Sequence, residues 1–189
     1  MNNTAPADIV IYIKDKGEVL REKSLIAVSE GKIAAWGNEC VNMQSASLAE
    51  GKDLTVISPF KQGRIDDFTL TVQLLKVFLQ KAQGRKKPFL KRPVIGLCAQ
   101  ANMTMVNRKA FEEVLYCVGA GKCIIFDAPL EQVLNDWQSE DNRKIDMIIA
   151  IENDNPLEYL REMIADVLIF AAKNNISTEI VREMLDKQG

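Results

Sequence analysis

The chain has 189 residues, of which 47% are hydrophobic and 26% are charged, and its formal net charge is -2 with no histidine. A chain of this length and composition can bury a substantial core, and its charge excludes overall electrostatic attraction to nucleic acid or anionic lipid. The absence of histidine excludes Ser-His-Asp and Cys-His catalysis.

The N-terminal part of the chain is predicted to be rich in β-strands. Short strands are indicated at 9–14, 24–37 and 55–60. The pairs Lys16-Gly17 and Glu30-Gly31 are typical of turns between strands. We therefore expect a small β-rich subdomain at residues 24–60. The first ten residues lack the basic and apolar regions of a secretory signal, so a cytoplasmic protein is expected.

A long amphipathic helix is predicted at residues 69–84. Its leucines and phenylalanine recur at i, i+4 spacing, and Gly84 supplies a C-terminal stop. Asp66 and Asp67 stand just before this helix, and we interpret them as residues that stabilise its N-terminus.

The segment GRKKPFLKRP, residues 84–93, sets two large apolar side chains, Phe89 and Leu90, among five cations. The cations are Arg85, Lys86, Lys87, Lys91 and Arg92. Composition alone leaves two interpretations open: the apolar pair packs as ordinary core under the adjacent helix, or it contacts another surface. Nucleic acid is not an expected partner, because the segment has one aromatic residue and the chain is acidic overall.

The second half of the chain alternates buried strands with amphipathic helices. Continuous apolar runs predict strands at 93–99, 122–129 and 145–153. Helical spacing predicts helices at 106–121 and 130–137, the first with an apolar stripe of Val106, Ala110, Phe111, Val114, Leu115 and Val118. This alternation indicates an α/β sheet with helices on its faces.

The C-terminal tail is predicted to be helical. Asn155, Pro156 and Glu158 form a cap, a first-turn proline and a glutamate that can reach back to the cap. No internal repeat or linker is evident, so we interpret residues 1–189 as a single domain.

Four cysteines, Cys40, Cys98, Cys117 and Cys123, show no C-x-x-C spacing. A zinc site would need unusual ligands in a chain without histidine, so these residues are predicted to be small buried hydrophobic side chains. No metal site is expected.

Three stretches, residues 11–43, 57–84 and 107–134, resemble in their order and spacing the MreB family of rod shape-determining proteins, the bacterial homologues of actin. The most specific part is ISPFKQGRIDDF, which is similar to the family's IRPLKDGVIADF. Residues 148–170 also resemble the family's closing strand and helix. The resemblance covers the family's first domain, and the second domain is expected to be missing, with residues 138–144 in its place.

The resemblance implies an actin-like, ribonuclease H-like α/β fold, with a mixed sheet flanked by helices and the small β-rich subdomain at 24–60. Members of the family close two domains around ATP, and two glycine-rich loops, D-x-G-T and D-x-G-G-G, hold the phosphates and Mg²⁺. The resemblance places residues 2–6 at the first loop, with Asn3 near the aspartate position. The second motif occurs nowhere.

A third difference from the family concerns its glutamate in T-x-V-E-R-R, which positions the attacking water. This chain has Asn107 there, and an amide cannot serve as a general base. We therefore expect a pseudo-ATPase that is not an enzyme, with no catalytic or metal-binding residue and no cofactor.

The resemblance also implies two contact surfaces. Residues 85–92 fall at a family loop whose apolar pair enters the cytoplasmic membrane, so Phe89 and Leu90 are membrane-contact candidates, and the five cations would favour an anionic leaflet. The β-rich subdomain corresponds to one that makes longitudinal contacts in the family. The self-assembly candidates are Trp36, Val41, Met43 and Leu48, with core packing as the alternative for each.

The leading hypothesis is a non-catalytic, MreB-like cytoskeletal and cell-shape protein at the inner face of the cell membrane. Its expected partners are itself or a full-length actin-like relative. The first alternative is a degenerate actin-like ATPase that completes its nucleotide site with a second chain. Others are a truncated product without a role and a two-metal nuclease using Asp127 and Asp146 at predicted strand ends.

Overall fold

The computed structural model describes residues 6–50, 54–61, 63–84, 92–99, 103–137 and 144–152. All of them belong to one compact unit, Met1–Asp154. The predicted C-terminal helix, which resembles the family's closing helix, lies outside the described residues. Most of the basic segment 84–93 also lies outside them. The assignment of residues 1–189 to a single domain stays a prediction.

The elements of the described chain alternate in type after a β-rich start. The strands are β1 Asp8–Ile13, β2 Gly17–Lys23, β3 Ile26–Ser29, β4 Lys32–Trp36, β5 Thr55–Ile57, β6 Phe60–Lys61, β7 Arg64–Ile65, β8 Val94–Cys98, β9 Lys122–Phe126 and β10 Met147–Glu152. The helices are α1 Glu39–Glu50, α2 Phe68–Gln83, α3 Met105–Cys117 and α4 Leu130–Asp136.

Five strands form a mixed central sheet in the order β2-β1-β10-β8-β9. The strands β10, β8 and β9 run parallel to one another, and β1 is antiparallel to both β10 and β2. The predicted buried strands and the helices between them are therefore confirmed. The strand β2 was not predicted, because its sequence, GEVLREK, carries charged residues instead of an apolar run.

The central strands are covered on both faces because successive side chains of a strand point to opposite sides. On β1, Ile9 and Ile11 join a core with side chains of α2 and α3, whereas Val10 joins a core with side chains of α4. On β10, Ile149 and Ile148 divide in the same way. This two-sided burial explains the continuous apolar runs.

Residues 26–57 contain a smaller unit, here called the small lobe, made of β3, β4, β5 and α1. Its strands pair in the order β4-β3-β5, and Glu30 and Gly31 form the predicted turn with φ of 52° and 72°. The helix α1 was not predicted. Among its described side chains Cys40 is the buried one, so the periodic apolar pattern that indicates a helix is weak.

Residues 57–68, which include the stretch ISPFKQGRIDDF, contain the antiparallel pair β6 and β7, here called the hairpin, and lead into α2. Phe60 of this hairpin stacks on Phe111 of α3, with ring centroids 6.2 Å apart. Asp67 caps α2 by accepting a hydrogen bond from Leu70 N at 2.8 Å. Asp66 instead donates its backbone N–H to the carbonyl of Pro59. The hairpin thus packs against α3 and is followed directly by the capped start of α2.

The cysteines are all free. Cys40 and Cys98 are buried, as predicted, and Cys123 is half-buried. The prediction is wrong for Cys117, which is exposed because it ends α3 on the side that faces away from the core.

Candidate functional site

The carboxyl ends of the parallel strands β8, β9 and β10 meet at one edge of the central sheet, here called the polar edge. The strand β1 starts at the same edge, because it is antiparallel to β10 and pairs Asp8 with Glu152. In open α/β sheets, ligands bind at the carboxyl ends of the strands. The charged side chains at this edge therefore form the candidate functional site.

The first turn of α3, which carries Asn107, lies at the polar edge. Thr104 caps the helix by accepting a hydrogen bond from Asn107 N at 3.2 Å. Arg108 donates to the carbonyl of Ile125 at 3.1 Å and forms an ion pair with Asp127, directly after β9. Arg108 thereby fixes the start of α3 to the end of β9 and neutralises the carboxylate at this position.

The opposite side of the polar edge carries further ion pairs. Lys23 lies 3.0 Å from the carboxylate of Asp8, and Arg21 lies 2.7 Å from that of Glu152. Arg21 also contacts Glu18 at 3.0 Å. The described cations here are thus engaged with carboxylates of the same chain.

These contacts shift the pKa values of two neighbouring groups. Hydrogen bonding from the Arg21 guanidinium holds the pKa of the Glu18 carboxyl below its usual value. Burial and the nearby Glu18 carboxylate raise the pKa of Tyr12, whose hydroxyl donates to Glu18 at 3.2 Å. The lowered pKa makes the Glu18 carboxylate a weaker base than usual, and the raised pKa makes the Tyr12 hydroxyl a weaker acid.

The two acids considered as a metal pair lie at opposite ends of the sheet. Asp127 follows β9, whereas Asp146 precedes the parallel strand β10. The registers separate them by five residues along the strands, about 16 Å at the usual rise per residue. Asp146 instead accepts a hydrogen bond from Val94 N at 2.8 Å. A shared two-metal site needs ions about 4 Å apart, so the nuclease interpretation is wrong for this pair.

The described part of the chain holds no cluster of three or more potential metal ligands. Within the same residues, no helix is both long enough and apolar enough to cross a membrane.

Most of the predicted membrane-contact residues lie outside the described residues: Phe89, Leu90, Arg85, Lys86, Lys87 and Lys91. Arg92 is described and is exposed just before β8. The membrane assignment therefore stays a prediction.

The self-assembly candidates differ in exposure. Trp36 is half-buried against the core on one face of the central sheet, and Met43 is half-buried against the core of the small lobe. Val41 on α1 is 47% exposed. Leu48 also lies on α1, but its side chain is outside the described set. Of the described candidates, Val41 offers the most accessible contact.

Two large apolar side chains on α3 are exposed to solvent, and the sequence interpretation did not predict this. Met105 and Val106, at the start of α3, are 80% and 78% exposed. Val106 was predicted on the buried stripe, but it lies five residues before buried Phe111, about 140° away around the helix. A count of residues per turn could have revealed this.

Comparisons with known proteins agree on one family. A family model described as MreB/Mbl protein matches residues 4–151. Cell shape-determining protein Mbl of Bacillus cereus is 34% identical over 123 residues, covering 64% of this chain and 35% of the relative. Cell shape-determining protein MreB of Escherichia coli is 27% identical over 131 residues, covering 66% and 36%. The chain thus spans about a third of the length of these relatives.

Two solved structures of MreB5 of Spiroplasma citri share the fold. The one bound to ADP gives a TM-score of 0.53 at 23% identity, over 66% of this chain and 36% of that protein. The one bound to AMPPNP gives a TM-score of 0.56 at 23% identity, over 72% and 40%. This likeness confirms the predicted actin-like fold.

Proposed function

The chain belongs to the MreB/Mbl family of actin-like, cell-shape cytoskeletal proteins of bacteria, and from this premise we propose that it is a non-catalytic member that assembles with itself or with a full-length relative. The match to the family over residues 4–151 supports an assembly role, because it includes the central sheet and the small lobe.

The observation that carries the non-catalytic part of the proposal is the chemistry of the polar edge. Asn107 stands where the family has its water-positioning glutamate, and it presents an amide. Arg108 is paired with Asp127, and Lys23 with Asp8. Binding a triphosphate needs donors that are available to it, and here these cations already hold carboxylates.

A pelleting assay with a parallel measurement of phosphate release tests this proposal. We expect the purified chain to form sedimenting species at high concentration, or to co-sediment with filaments of a full-length MreB relative. Phosphate release from Mg-ATP should equal that of buffer. A chain that stays monomeric and does not co-sediment with the relative would contradict the assembly role. Phosphate release that increases in proportion to the protein concentration would contradict the non-catalytic role.

We also propose that the protein lies in the cytoplasm, at the inner face of the cell membrane. Two apolar side chains, Phe89 and Leu90, stand among five cations, and burial of the pair with attraction of the cations to anionic lipid would give weak attachment. One such segment would bind reversibly, so useful attachment requires several copies side by side. Assembly and membrane contact therefore support each other.

A second candidate is a degenerate ATPase that completes its nucleotide site with a second chain. It is favoured by the two Spiroplasma citri MreB5 structures, which are described as bound to ADP and to AMPPNP. Binding of Mg-ATP by this chain separates the two candidates.

A further inference from the structure

The amino ends of the parallel strands lie at the edge of the central sheet opposite the polar edge. The turn between β1 and β2 lies there too, because β1 is antiparallel to β10. Lys14 N donates to the carbonyl of Asp146 at 3.0 Å, and Gly121 N donates to that of Pro93 at 2.8 Å. These bonds hold four chain segments together in one surface. We call it the amino edge, made of residues 14–16, 92–93, 121–122 and 144–146.

Each of these four segments brings at least one cation to the amino edge. The cations are Lys14, Lys16, Arg92, Lys122 and Lys144. The strands β1, β10, β8 and β9, to which the segments belong, are neighbours in the sheet in that order. Neighbouring strands lie about 4.8 Å apart, so the cations form a row about 14 Å long.

The cations of the amino edge differ from those of the polar edge in their contacts. Lys16, Arg92, Lys122 and Lys144 are exposed. Among the described residues none of these four forms an ion pair, whereas the paired cations of the polar edge hold carboxylates. The positive charge of the amino edge is therefore available to a partner.

The amino edge is positive although the chain as a whole is acidic. Its five cations are accompanied by two acids, Asp15 and Asp146, which gives a formal charge of +3, whereas the whole chain has -2. Asp146 accepts a hydrogen bond from Val94 N at 2.8 Å. Glu18 follows closely on β2, but its carboxylate is paired with Arg21. A surface of this charge is complementary to an anionic partner.

We propose that the amino edge binds the anionic headgroups of a lipid surface, so that the strands of the central sheet stand on that surface. A straight row of cations can meet a flat surface along its whole length. Each cation close to an anionic leaflet strengthens binding about fivefold. This inference rests on the proposed membrane location and adds a surface that does not include the apolar pair.

The sequence next to the amino edge favours lipid over nucleic acid or an acidic polypeptide. Arg92 belongs to the amino edge and is also the last of the five cations around Phe89 and Leu90. An apolar pair that continues a row of cations gains free energy by burial in a headgroup region. A phosphate backbone or a chain of carboxylates offers no comparable apolar environment.

Removal of three lysines tests the amino edge without changing residues 84–93. The variant combines Lys16→Ala, Lys122→Ala and Lys144→Ala, and we call it the edge variant. Its affinity is measured by co-sedimentation with vesicles of phosphatidylcholine and phosphatidylglycerol over a series of lipid concentrations. We expect the edge variant to bind about a hundredfold more weakly than the wild-type chain.

A matched control removes three exposed lysines elsewhere and causes the same change in net charge. It combines Lys32→Ala on β4, Lys61→Ala on β6 and Lys76→Ala on α2. Its vesicle binding should stay within about twofold of wild type, because salt screens charges that are distant from the lipid.

Replacement of the same three lysines of the amino edge by arginine separates charge from structure. Lys16→Arg, Lys122→Arg and Lys144→Arg together keep the row of cations, so this variant should bind the vesicles as the wild type does. Binding by the wild-type chain should also weaken as salt is added, more steeply than binding by the edge variant. A purely structural role of the lysines would not produce this difference in salt dependence.

The outcomes separate this inference from the membrane location on which it rests. Equal vesicle binding by the edge variant and its matched control would overturn the role of the amino edge and leave the contact through Phe89 and Leu90 standing. A wild-type chain that binds no vesicles would overturn both. If the edge variant loses binding to polyglutamate but keeps its binding to vesicles, the lipid assignment is wrong and the amino edge binds an acidic polypeptide.

Discussion

Glu22 on β2 accepts a hydrogen bond from the backbone N–H of Asn38 at 2.7 Å, and this bond ties the central sheet to the small lobe. The side chain of Asn38 also bonds the backbone of β2. It accepts a hydrogen bond from Lys23 N at 3.0 Å and donates one to the carbonyl of Arg21 at 3.2 Å. The second oxygen of Glu22 contacts Lys81 of α2 at 2.8 Å. One carboxylate thus joins a strand, a helix and the small lobe.

Removing this carboxylate should loosen the junction. We expect Glu22→Ala to lower the free energy of unfolding by about 1–2 kcal/mol, because the N–H of Asn38 loses a charged acceptor. Glu22→Gln keeps an acceptor of the same shape and should cost less than the alanine variant. Urea denaturation followed by circular dichroism measures both. Equal stability of the alanine variant and the wild type would show that the junction does not depend on Glu22.

The two aspartates before α2 should differ in their contribution to stability. Asp67 bonds Leu70 N with its side chain, so Asp67→Ala should lower the free energy of unfolding by about 1 kcal/mol. Asp66 uses its backbone for the bond to Pro59, and Asp66→Ala should have little effect. Thermal unfolding of the two variants provides the comparison, and similar losses would mean that the capping assignment is incomplete.

The sequence predicted what depends on local spacing and missed what depends on tertiary position. The helix α2 was predicted because its apolar positions repeat regularly and Gly84 ends it, and the structure has this residue at φ of 62°. The ion pair of Arg108 with Asp127 spans nineteen residues and exists because β9 brings its end to α3. No pattern of neighbouring residues in the sequence predicts that ion pair.

The same limit explains the wrong interpretation of Asp127 and Asp146. Asp127 and Asp146 both adjoin strands, but only the parallel order of β9 and β10 reveals that they lie at opposite ends. The error for Val106, which is 78% exposed, is of another kind, because counting residues per turn from Phe111 could have revealed it.

The cysteines should react with iodoacetamide in the order of their exposure. Burial raises the pKa of the Cys98 thiol to about 12, so at pH 8 it holds very little of the reactive thiolate. Cys117 is exposed and should be labelled first. Mass spectrometry over time in native buffer, and again in urea, measures the order. Labelling of Cys98 as fast as Cys117 in the folded protein would contradict its burial.

The proposed membrane contact predicts a specific loss of lipid binding. The wild-type chain should sediment with vesicles containing anionic lipid, and Phe89→Ala combined with Leu90→Ala should abolish this by removing the apolar area that is buried in the headgroup region. Ile33→Ala combined with Phe68→Ala removes two side chains that are 38% and 39% exposed elsewhere, and it serves as the control. The membrane assignment fails if the variant at residues 89 and 90 sediments like the control.

The final prediction concerns nucleotide, and it decides between the two candidate functions. A ligand that binds the native state must raise the melting temperature, by an amount set by its concentration relative to its Kd. We expect no rise in melting temperature with millimolar Mg-ATP. Asn107→Glu restores the carboxylate of the family pattern, but it should not produce phosphate release, because Arg108 and Asp127 remain paired beside it and the D-x-G-G-G loop occurs nowhere in the chain. Asn107→Gln is the matched control for side-chain size. A nucleotide-dependent rise in melting temperature, or phosphate release by the glutamate variant above that of the glutamine variant, would favour the degenerate ATPase.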